Sequence, residues 1–420
     1  GRQLALKITA NSVYGFTGAR IAKLPCVAIA ASVTAYGRDM LKYTKEFTEK
    51  TYAKEEAEII YGDTDSVMIK SDAKTIPEAI IYGKLWAKTA TQAIHKHFGF
   101  SYANLAFEKI YFPFLLINKK RYAGLFWTKP DKHDKIDKKG IESVRRDNCL
   151  LTTQTQDDVL KKLLEERDPE GAKQLVRDAV TNLLAGKIDI SMLVISKSLT
   201  RPPEEYDSKQ THAELALRMK KRDPATAPKL GERVPYVVTS GTKKDAISAR
   251  TENPLYAIEH NVPIDYTYYI EKQLKKPLCR VFSALMDDPL SLIRGEHTKV
   301  KIQPRPKTDG ILKYSVKVQV CLKCNGKLPP GIKTLCKGCT SSSLEREVEE
   351  QKYYGMFQEK LRAAEKKVSE YWTQCQVCQG SFTQPVICSN ESCQIFYART
   401  SAKKTAVELS NSVDRFSMEW

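Results

Sequence analysis

The sequence predicts an α+β fold. We expect an antiparallel sheet in its first third, a mostly helical basic middle and a small cysteine-rich, metal-binding domain at the end. Apolar side chains recur with helical spacing from Ile29 to Phe47. Two β-branched stretches, 57–61 and 66–69, flank the polar residues 62–65, which indicates a hairpin. Eight of the eleven cysteines fall after position 320.

Length and charge limit the classes of function. A chain of 420 residues accommodates two or three domains, at about 150 residues each. Its 68 basic residues against 50 acidic ones give a net charge of +18, which favours a negatively charged partner such as nucleic acid. No apolar run reaches the ~18–20 residues of a membrane helix, so no membrane partner is expected. The chain begins at Gly1 without Met, and we interpret it as part of a longer protein.

The remaining elements are predicted from local patterns. A proline-free stretch at Leu4–Phe16 predicts the first helix, and the apolar residues from Ile29 to Phe47 predict the second. The stretch Pro77–Phe98 predicts a third helix. The section Leu105–Trp127 is rich in strand-forming residues, and the lysine-dense segment Lys129–Lys139 marks a domain boundary. The sequence then predicts basic helices at 157–168, 171–184 and 212–222, a strand at 234–239 and a linker at 304–310.

Two acidic residues stand in the predicted hairpin turn. Asp63 and Asp65 are two apart, so in an extended chain both carboxylates point to the same side. Such oxygen ligands suit a hard ion such as Mg²⁺. We expect Gly62 to take an unusual backbone dihedral and the apolar flanks to place the turn on a buried sheet. The alternative is a solvated turn, because Asp and Gly favour turns regardless of function.

Three polar residues share one face of the first helix. Lys7, Asn11 and Tyr14 follow i, i+4, i+7 spacing. An ammonium, an amide and a phenol ring in a row can hold a triphosphate, a sugar and a base edge. The alternative is the polar face of an ordinary amphipathic helix.

The late cysteines form two clusters. Cys321, Cys324, Cys336 and Cys339 make a CxxC-x11-CxxC pattern, which is typical of a structural zinc site. Cys375, Cys378, Cys388 and Cys393 have a wider last gap, and their thiolates suit either zinc or a [4Fe–4S] cluster.

Three motifs in one order resemble those of family B DNA polymerases. They read KITANSVYG at 7–15, YGDTDS at 61–66 and KKRY at 119–122, with further matches at 16–19, 139–142 and 144–149. The resemblance covers nearly the whole chain and implies a right-hand polymerase that performs template-directed DNA synthesis by two-metal-ion nucleotidyl transfer. It implies partial fingers and palm in 1–135, a DNA-binding thumb in 136–305 and a domain with two four-cysteine clusters in 311–420.

The resemblance also implies roles for individual residues. Asp65 is the direct Mg²⁺ ligand with Asp63 beside it. In the fingers, Lys7 binds the dNTP triphosphate, Asn11 positions it and Tyr14 checks the minor-groove edge of the nascent pair. The residues that contact primer–template DNA are Lys119, Lys120, Arg121 and Tyr122 at the primer terminus, and Arg145 and Arg146 in the thumb. Further thumb phosphate contacts are implied for Lys138, Lys139, Lys197, Arg201, Lys220, Lys221 and Arg222.

The chain departs from the family in two respects. The family supplies a further metal carboxylate from an upstream motif that this chain lacks, together with the acidic clusters of a proofreading domain. We therefore expect the chain alone to be inactive. The segment 105–109 resembles a family segment that has two acidic residues at alternate positions. Glu108 matches the second of these acidic residues, but Ala106 stands in place of the first. Glu108 is thus either a weakened supplementary Mg²⁺ ligand or the ion-pair partner of Lys109.

For the tail, the resemblance implies zinc at the first cysteine cluster and [4Fe–4S] at the second. It implies that helices between them present the second cluster to the B-subunit of the holoenzyme, that the sliding clamp PCNA contacts the same terminal region, and that the protein is nuclear. Two alternatives remain at this point: another replicative or translesion family B catalytic subunit, and a non-catalytic DNA-binding scaffold subunit.

Overall fold

The structure is a computed structural model that describes residues 1–21, 25–241, 245–299, 319–329, 331–340 and 342–416. The chain divides into two compact units, Gly1–Ile141 and Glu142–Trp420. The predicted linker at 304–310 lies outside the described residues. Within the described ranges, none of the helices combines the length and apolar character that crossing a bilayer requires.

The first unit combines helices with two antiparallel sheets, as predicted. Strands β1 and β2 form a hairpin, and β3, β4 and β5 form a three-stranded sheet in that order. The elements are α1 (Arg2–Gly18), α2 (Val27–Thr51), β1 (Glu58–Asp63), β2 (Ser66–Lys70), α3 (Ile76–Phe98), β3 (Ile110–Asn118), β4 (Arg121–Trp127) and β5 (Lys135–Lys139). The predictions for the first three helices, the hairpin and the strand-rich section are confirmed.

Helix α3 supports the hairpin. It begins where the Thr75 side chain accepts the Glu78 N–H, and it ends at Gly99, whose φ of 72° is left-handed. Its buried Trp86 packs with Tyr52 and Ala57, and this core also holds Ile69 of β2. The hairpin is therefore fixed from its helix-facing side.

The prediction that this hairpin lies on a buried sheet is wrong. Burial alternates along β1, and no residue of either strand is fully buried. In the part of the chain that the structure describes, the sheet has two strands and packs against α2, so the opposite face, with Ile60, meets solvent. Ile59, Tyr61 and Asp63 share the less exposed face.

The lysine-dense segment at 129–139 contains a strand that the sequence analysis did not expect. Strand β5 pairs antiparallel with β4, joining Tyr122 to Lys139 and Gly124 to Asp137. Asp137 is buried although Lys135, Lys138 and Lys139 stand within two residues of it. The run of charge hid the strand, because its one fully buried residue, Asp137, is itself charged.

The second unit starts with a largely helical region around a small antiparallel sheet, β6 to β8. A π-helical segment, Tyr269–Leu274, joins its last two helices. The elements are α4 (Leu150–Leu164), α5 (Pro169–Leu184), β6 (Ile195–Ser198), α6 (Thr211–Arg222), β7 (Arg233–Val238), β8 (Thr251–Glu252), α7 (Pro254–Glu259), α8 (Tyr266–Tyr268) and α9 (Lys275–Phe282).

The predicted helices at 171–184 and 212–222 and the strand at 234–239 are confirmed, but the helix predicted at 157–168 spans 150–164. Its first turns bury polar residues such as Thr152 and Gln156, which an apolar pattern does not reveal. Its predicted last residue, Asp168, instead begins α5 by accepting the Gly171 N–H at 2.8 Å.

The cysteine-rich region consists of a small knuckle followed by two long helices. Cys321, Leu328 and Leu335 form the core of the knuckle. Helix α10 (Ser343–Gln379) holds this knuckle, since Lys323 pairs with Glu349 at 3.0 Å. Helix α11 (Gln394–Val413) packs along α10.

Candidate functional site

The acidic turn between β1 and β2 is a tight two-residue connection. Asp63 pairs with Ser66 across the hairpin, and the Asp65 N–H donates to the Asp63 carbonyl at 2.6 Å. The left-handed residue is Thr64, with φ of 55°, whereas Gly62 lies outside that region. The expectation of an unusual dihedral at Gly62 is therefore wrong, because the chain reverses one residue beyond Asp63.

Both carboxylate oxygens of Asp63 are engaged within the protein. Oδ1 lies 3.3 Å from Lys120 Nζ and accepts the Thr64 hydroxyl at 3.1 Å, and Oδ2 accepts the Tyr61 hydroxyl at 3.5 Å. Desolvation would raise the pKa of Asp63, but the bonds from Lys120 and Thr64 outweigh it, so the pKa is lowered. The Asp65 carboxylate is exposed and, within the described ranges, makes no hydrogen bond or ion pair. It is thus open to an external cation.

The predicted basic motif lies against this acidic turn. Lys119 and Lys120 connect β3 to β4, and Lys120 has a φ of 61°. The Lys120 backbone N–H donates to the Tyr61 hydroxyl at 2.9 Å, and the Tyr122 ring lies 5.9 Å from the Tyr61 ring. The structure therefore brings together two motifs that the sequence places far apart.

A glycine after β5 abuts the same basic turn. Gly140 has a φ of 61°, and a Cβ added there would lie 2.0 Å from the Lys120 carbonyl oxygen. Only glycine fits this position without displacing the backbone. The glycine in the matching motif at 139–142 is therefore explained by its close contact with the KKRY turn.

The three polar residues on one face of α1 are exposed to solvent. Lys7, Asn11 and Tyr14 lie on a helix without a buried residue, which packs against α2. No hydrogen bond, ion pair or ring contact among the described residues joins these three side chains to the acidic turn. Their role in nucleotide binding stays a prediction.

Glu108 forms the ion pair that the sequence analysis gave as the alternative to metal binding. Its Oε1 lies 3.3 Å from Lys109 Nζ, and its side chain is 72% exposed. Glu108 and Ala106 share the outer side of this segment, while Phe107 packs onto Gly83 of α3. Whether Glu108 also holds a cation stays a prediction.

Arg145 and Arg146, the two adjacent arginines of the predicted thumb, differ in their surroundings. Arg145 makes a bidentate pair with Asp147, at 3.1 and 3.0 Å, which lowers the pKa of Asp147 and raises that of Arg145. Arg146 is exposed, and among the described residues only its carbonyl is bonded, by Arg233 at 2.9 Å. Of the two guanidinium groups, that of Arg146 is therefore the less engaged within the protein.

Two other basic residues of this region, Arg222 and Lys220, are paired with acidic residues. Arg222 pairs with Glu252 at 2.9 and 2.8 Å and lies over the Tyr256 ring. Lys220 pairs with Glu204 at 3.3 Å. The number of basic residues in this region is therefore larger than the number of basic side chains that are free to bind phosphates.

The first cysteine cluster converges as its spacing predicts. The Sγ atoms of Cys321, Cys324, Cys336 and Cys339 lie within 4.8 Å of one another, and no other group in the described residues could hold an ion in this way. The Cys321 thiol is buried, which opposes ionisation, but backbone N–H groups, including that of Cys336 at 3.3 Å, lower its pKa to about 6. Four such sulfurs form a metal site whose donors are consistent with zinc.

The second cluster is more open. Cys375 and Cys378 lie in the last turns of α10, Cys388 follows in the connecting segment, and Cys393 precedes the first residue of α11. These thiols are not close enough to surround a single ion. Thiolates around a [4Fe–4S] cluster stand further apart than those around one zinc ion, because each binds a different iron.

Three residues beside the site received no role from the sequence: Tyr61 and Gly140, which stand in two of the matched motifs, and Asp137, which stands in none. Tyr61 could have been found from its spacing, because it lies two residues before Asp63 and so shares a strand face with it. Asp137 offered no such signal, since its burial depends on pairing with β4.

These motifs and their arrangement agree with the match to known families. The family model described as DNA polymerase family B matches residues 1–285, so the chain belongs to this family. A second model, the C4-type zinc-finger of DNA polymerase delta, matches residues 321–399.

The chain is similar throughout its length to curated DNA polymerase delta catalytic subunits. It is 47% identical to that of Dictyostelium discoideum over 427 residues, which cover 100% of this chain and 37% of the relative. For Schizosaccharomyces pombe the identity is 45%, over 100% of this chain and 38% of the relative. For Bos taurus the identity is 44%, over 99% of this chain and 37% of the relative. The chain thus spans less than two fifths of the length of these relatives.

Proposed function

We propose that this chain is part of a replicative DNA polymerase catalytic subunit of the delta type, acting in template-directed DNA synthesis. Its substrates are primer–template DNA and dNTPs. The observation that carries the proposal is the meeting of the Asp63–Asp65 turn with the Lys119–Tyr122 turn, within a family B match. Carboxylates for a metal ion and cations for a phosphate backbone are what nucleotidyl transfer requires at a primer terminus.

In this proposal residues 1–135 are partial fingers and palm. Mg²⁺, when bound, activates the primer 3′-hydroxyl and steadies the departing pyrophosphate. The exposed Asp65 carboxylate is a fitting ligand, because its oxygens only accept and make no bond in the described part of the chain. Asp63 lies beside it and holds Lys120. Glu108 is a candidate for a supplementary ion.

The DNA and nucleotide contacts follow from the two exposed basic features. Lys119, Lys120, Arg121 and Tyr122 contact the primer terminus through its backbone and minor groove. On α1, Lys7 binds the triphosphate as a point charge, Asn11 positions the nucleotide, and Tyr14 contacts the minor-groove edge of the new pair. Their exposure leaves these side chains accessible to substrate.

Residues 136–305 are proposed to be the thumb. It grips duplex product by its phosphates, without reading sequence. Arg146 is the stronger candidate of the arginine pair, because Asp147 already neutralises Arg145. The region contributes binding that depends on salt concentration.

The metal sites of residues 311–420 are proposed to differ. Zinc at the first cluster is supported by the close approach of four sulfurs. We assign [4Fe–4S] to the second cluster, in line with its wider spacing. The B-subunit of the holoenzyme and the sliding clamp PCNA are the proposed protein partners of this region, and the nucleus is the proposed location.

The test is primer extension by the full-length protein that contains this chain. We expect incorporation of the dNTP complementary to the template, and not of the other three, in the presence of Mg²⁺. A protein that binds primer–template DNA but incorporates no nucleotide would favour a non-catalytic scaffold subunit instead.

A further inference from the structure

A buried carboxylate lies beneath the basic turn. Asp137 is 7% exposed, on the strand β5. Its Oδ2 accepts the Tyr111 hydroxyl at 2.5 Å, and its Oδ1 lies 3.4 Å from Lys139 Nζ. Burial opposes ionisation of Asp137, but these bonds, first that of Tyr111, lower its pKa. A buried charge satisfied on both oxygens fixes its partners, because leaving any of them unpaired is costly.

The first connection to the basic turn runs through aromatic rings. The Tyr111 ring lies 5.9 Å from the Tyr122 ring at an interplanar angle of 67°, and Tyr122 in turn lies 5.9 Å from Tyr61. Edge-to-face packing of this kind favours one ring orientation. Asp137 fixes the hydroxyl of Tyr111 and thereby the first ring of this series.

The second connection runs through the backbone. Lys139 pairs with Tyr122 in the β4–β5 register, and Gly140 follows directly against the Lys120 carbonyl oxygen. The ion pair between Asp137 and Lys139 lies at the end of β5 that leads into this contact. Both connections therefore reach the turn that carries the proposed primer contacts.

We propose that Asp137 is a positioning residue for primer binding: through Tyr111 and Lys139 it holds Tyr122 and Lys120 in the orientation that receives the primer terminus. This inference rests on the proposed function. Asp137 itself touches no substrate. Holding the groups in place before binding strengthens the complex, because less conformational freedom is lost when DNA arrives.

The experiment uses the full-length polymerase with Asp137→Asn or Tyr111→Phe. Asp137→Asn removes the charge at nearly constant volume, and Tyr111→Phe removes one hydroxyl. We expect the primer–template Kd to rise about tenfold, the scale of one charge-assisted hydrogen bond. The KM for dNTP and the single-turnover rate at saturating DNA stay unchanged, since neither group contacts the nucleotide.

Asp134→Asn is the matched control. Asp134 Oδ2 accepts the N–H of Thr128 at 3.0 Å and its hydroxyl at 2.9 Å, at the opposite end of the β4–β5 pair from Lys120. It is a hydrogen-bonded carboxylate directly before β5, and its loss should leave the Kd for DNA at the wild-type value. Thermal unfolding of each variant establishes that the proteins compared are folded.

Three outcomes would overturn the inference. The first is a wild-type Kd in folded Tyr111→Phe and Asp137→Asn proteins, and the second is an equal loss of DNA affinity in Asp134→Asn. The third is a change confined to the KM for dNTP. The proposed function is judged separately, by whether the wild-type protein extends a primer, so the two failures are distinguishable.

Discussion

The ammonium group of Lys120 lies 3.3 Å from Oδ1 of Asp63, joining the turn between β3 and β4 to the turn between β1 and β2. The Lys120 side chain is 64% exposed, and an exposed pair of this kind contributes only about 0–1 kcal/mol to stability. Its importance is positional, because it places the proposed primer-binding lysine beside the proposed metal-binding acids.

Tyr61 is predicted to support this arrangement. Tyr61→Phe removes the hydroxyl that accepts the Lys120 N–H and donates to Asp63. A hydrogen bond contributes about 0.5–1.5 kcal/mol, so kcat/KM for primer extension should fall roughly threefold to tenfold. Steady-state extension by the full-length protein measures this. Tyr82→Phe is the control, because its hydroxyl bonds Glu78 at 3.3 Å on α3, and it should leave kcat/KM unchanged.

Gly140 is predicted to be intolerant of any side chain. In Gly140→Ala the new Cβ would meet the Lys120 carbonyl oxygen, so the free energy of unfolding should fall by about 1–3 kcal/mol and DNA affinity should fall with it. Gly99→Ala shares the positive φ but has no atom within 4 Å of the added Cβ. Denaturant unfolding and DNA binding should show a smaller stability loss and a wild-type Kd for Gly99→Ala. Equal effects of the two substitutions would contradict the proposed contact.

Substitutions of Arg145 and Arg146, in the proposed thumb, are predicted to affect local stability and DNA binding respectively. Arg146→Ala should weaken DNA binding at every sequence and reduce the salt dependence by about one phosphate contact. Arg145→Ala should chiefly leave Asp147 unpaired, with a smaller change in the salt slope. Binding isotherms across a salt series, with several duplex sequences, measure both. A larger slope change for Arg145→Ala would reverse the assignment.

The acid stability of the first unit is predicted to depend on Asp137. Its pKa is lower in the folded state than in the unfolded chain. Its stabilising contribution is therefore present above the unfolded pKa of about 3.9 and is lost as pH falls through the folded pKa. The stability difference between wild type and Asp137→Asn should shrink as pH is lowered from about 6 to about 3. Urea unfolding over this range checks it, and a constant difference would contradict the stabilisation of the ionised Asp137 by Tyr111 and Lys139.

The first cysteine cluster is predicted to hold one zinc ion that stabilises the knuckle. Cys336→Ser should remove this zinc and expose the Leu328–Leu335 core to proteolysis, since metal binding and folding are coupled in such small modules. Cys279→Ser is the control, because this cysteine lies in α9, outside the cluster. Metal content by elemental analysis and limited proteolysis report the two effects. Unchanged zinc in Cys336→Ser would contradict the site.

Local patterns predicted most of the elements, and tertiary pairing decided the rest. Helix α2 could be predicted because its apolar residues recur with helical spacing. The 61–66 hairpin could be predicted because four polar turn residues stand between two strand-forming stretches. Strand β5 was missed, because its single buried residue, Asp137, is charged and is satisfied by Tyr111 from another strand. Likewise, no spacing rule shows that Arg145 turns to Asp147 while Arg146 stays exposed.

Single-nucleotide incorporation by the full-length protein carrying Asp65→Ala, with primer–template affinity measured on the same sample, tests the proposed role of the acidic turn in metal binding. We expect incorporation to be lost while the Kd for DNA stays close to the wild-type value, because Asp65 is proposed to bind the metal ion and not the duplex. Incorporation at the wild-type rate would contradict it.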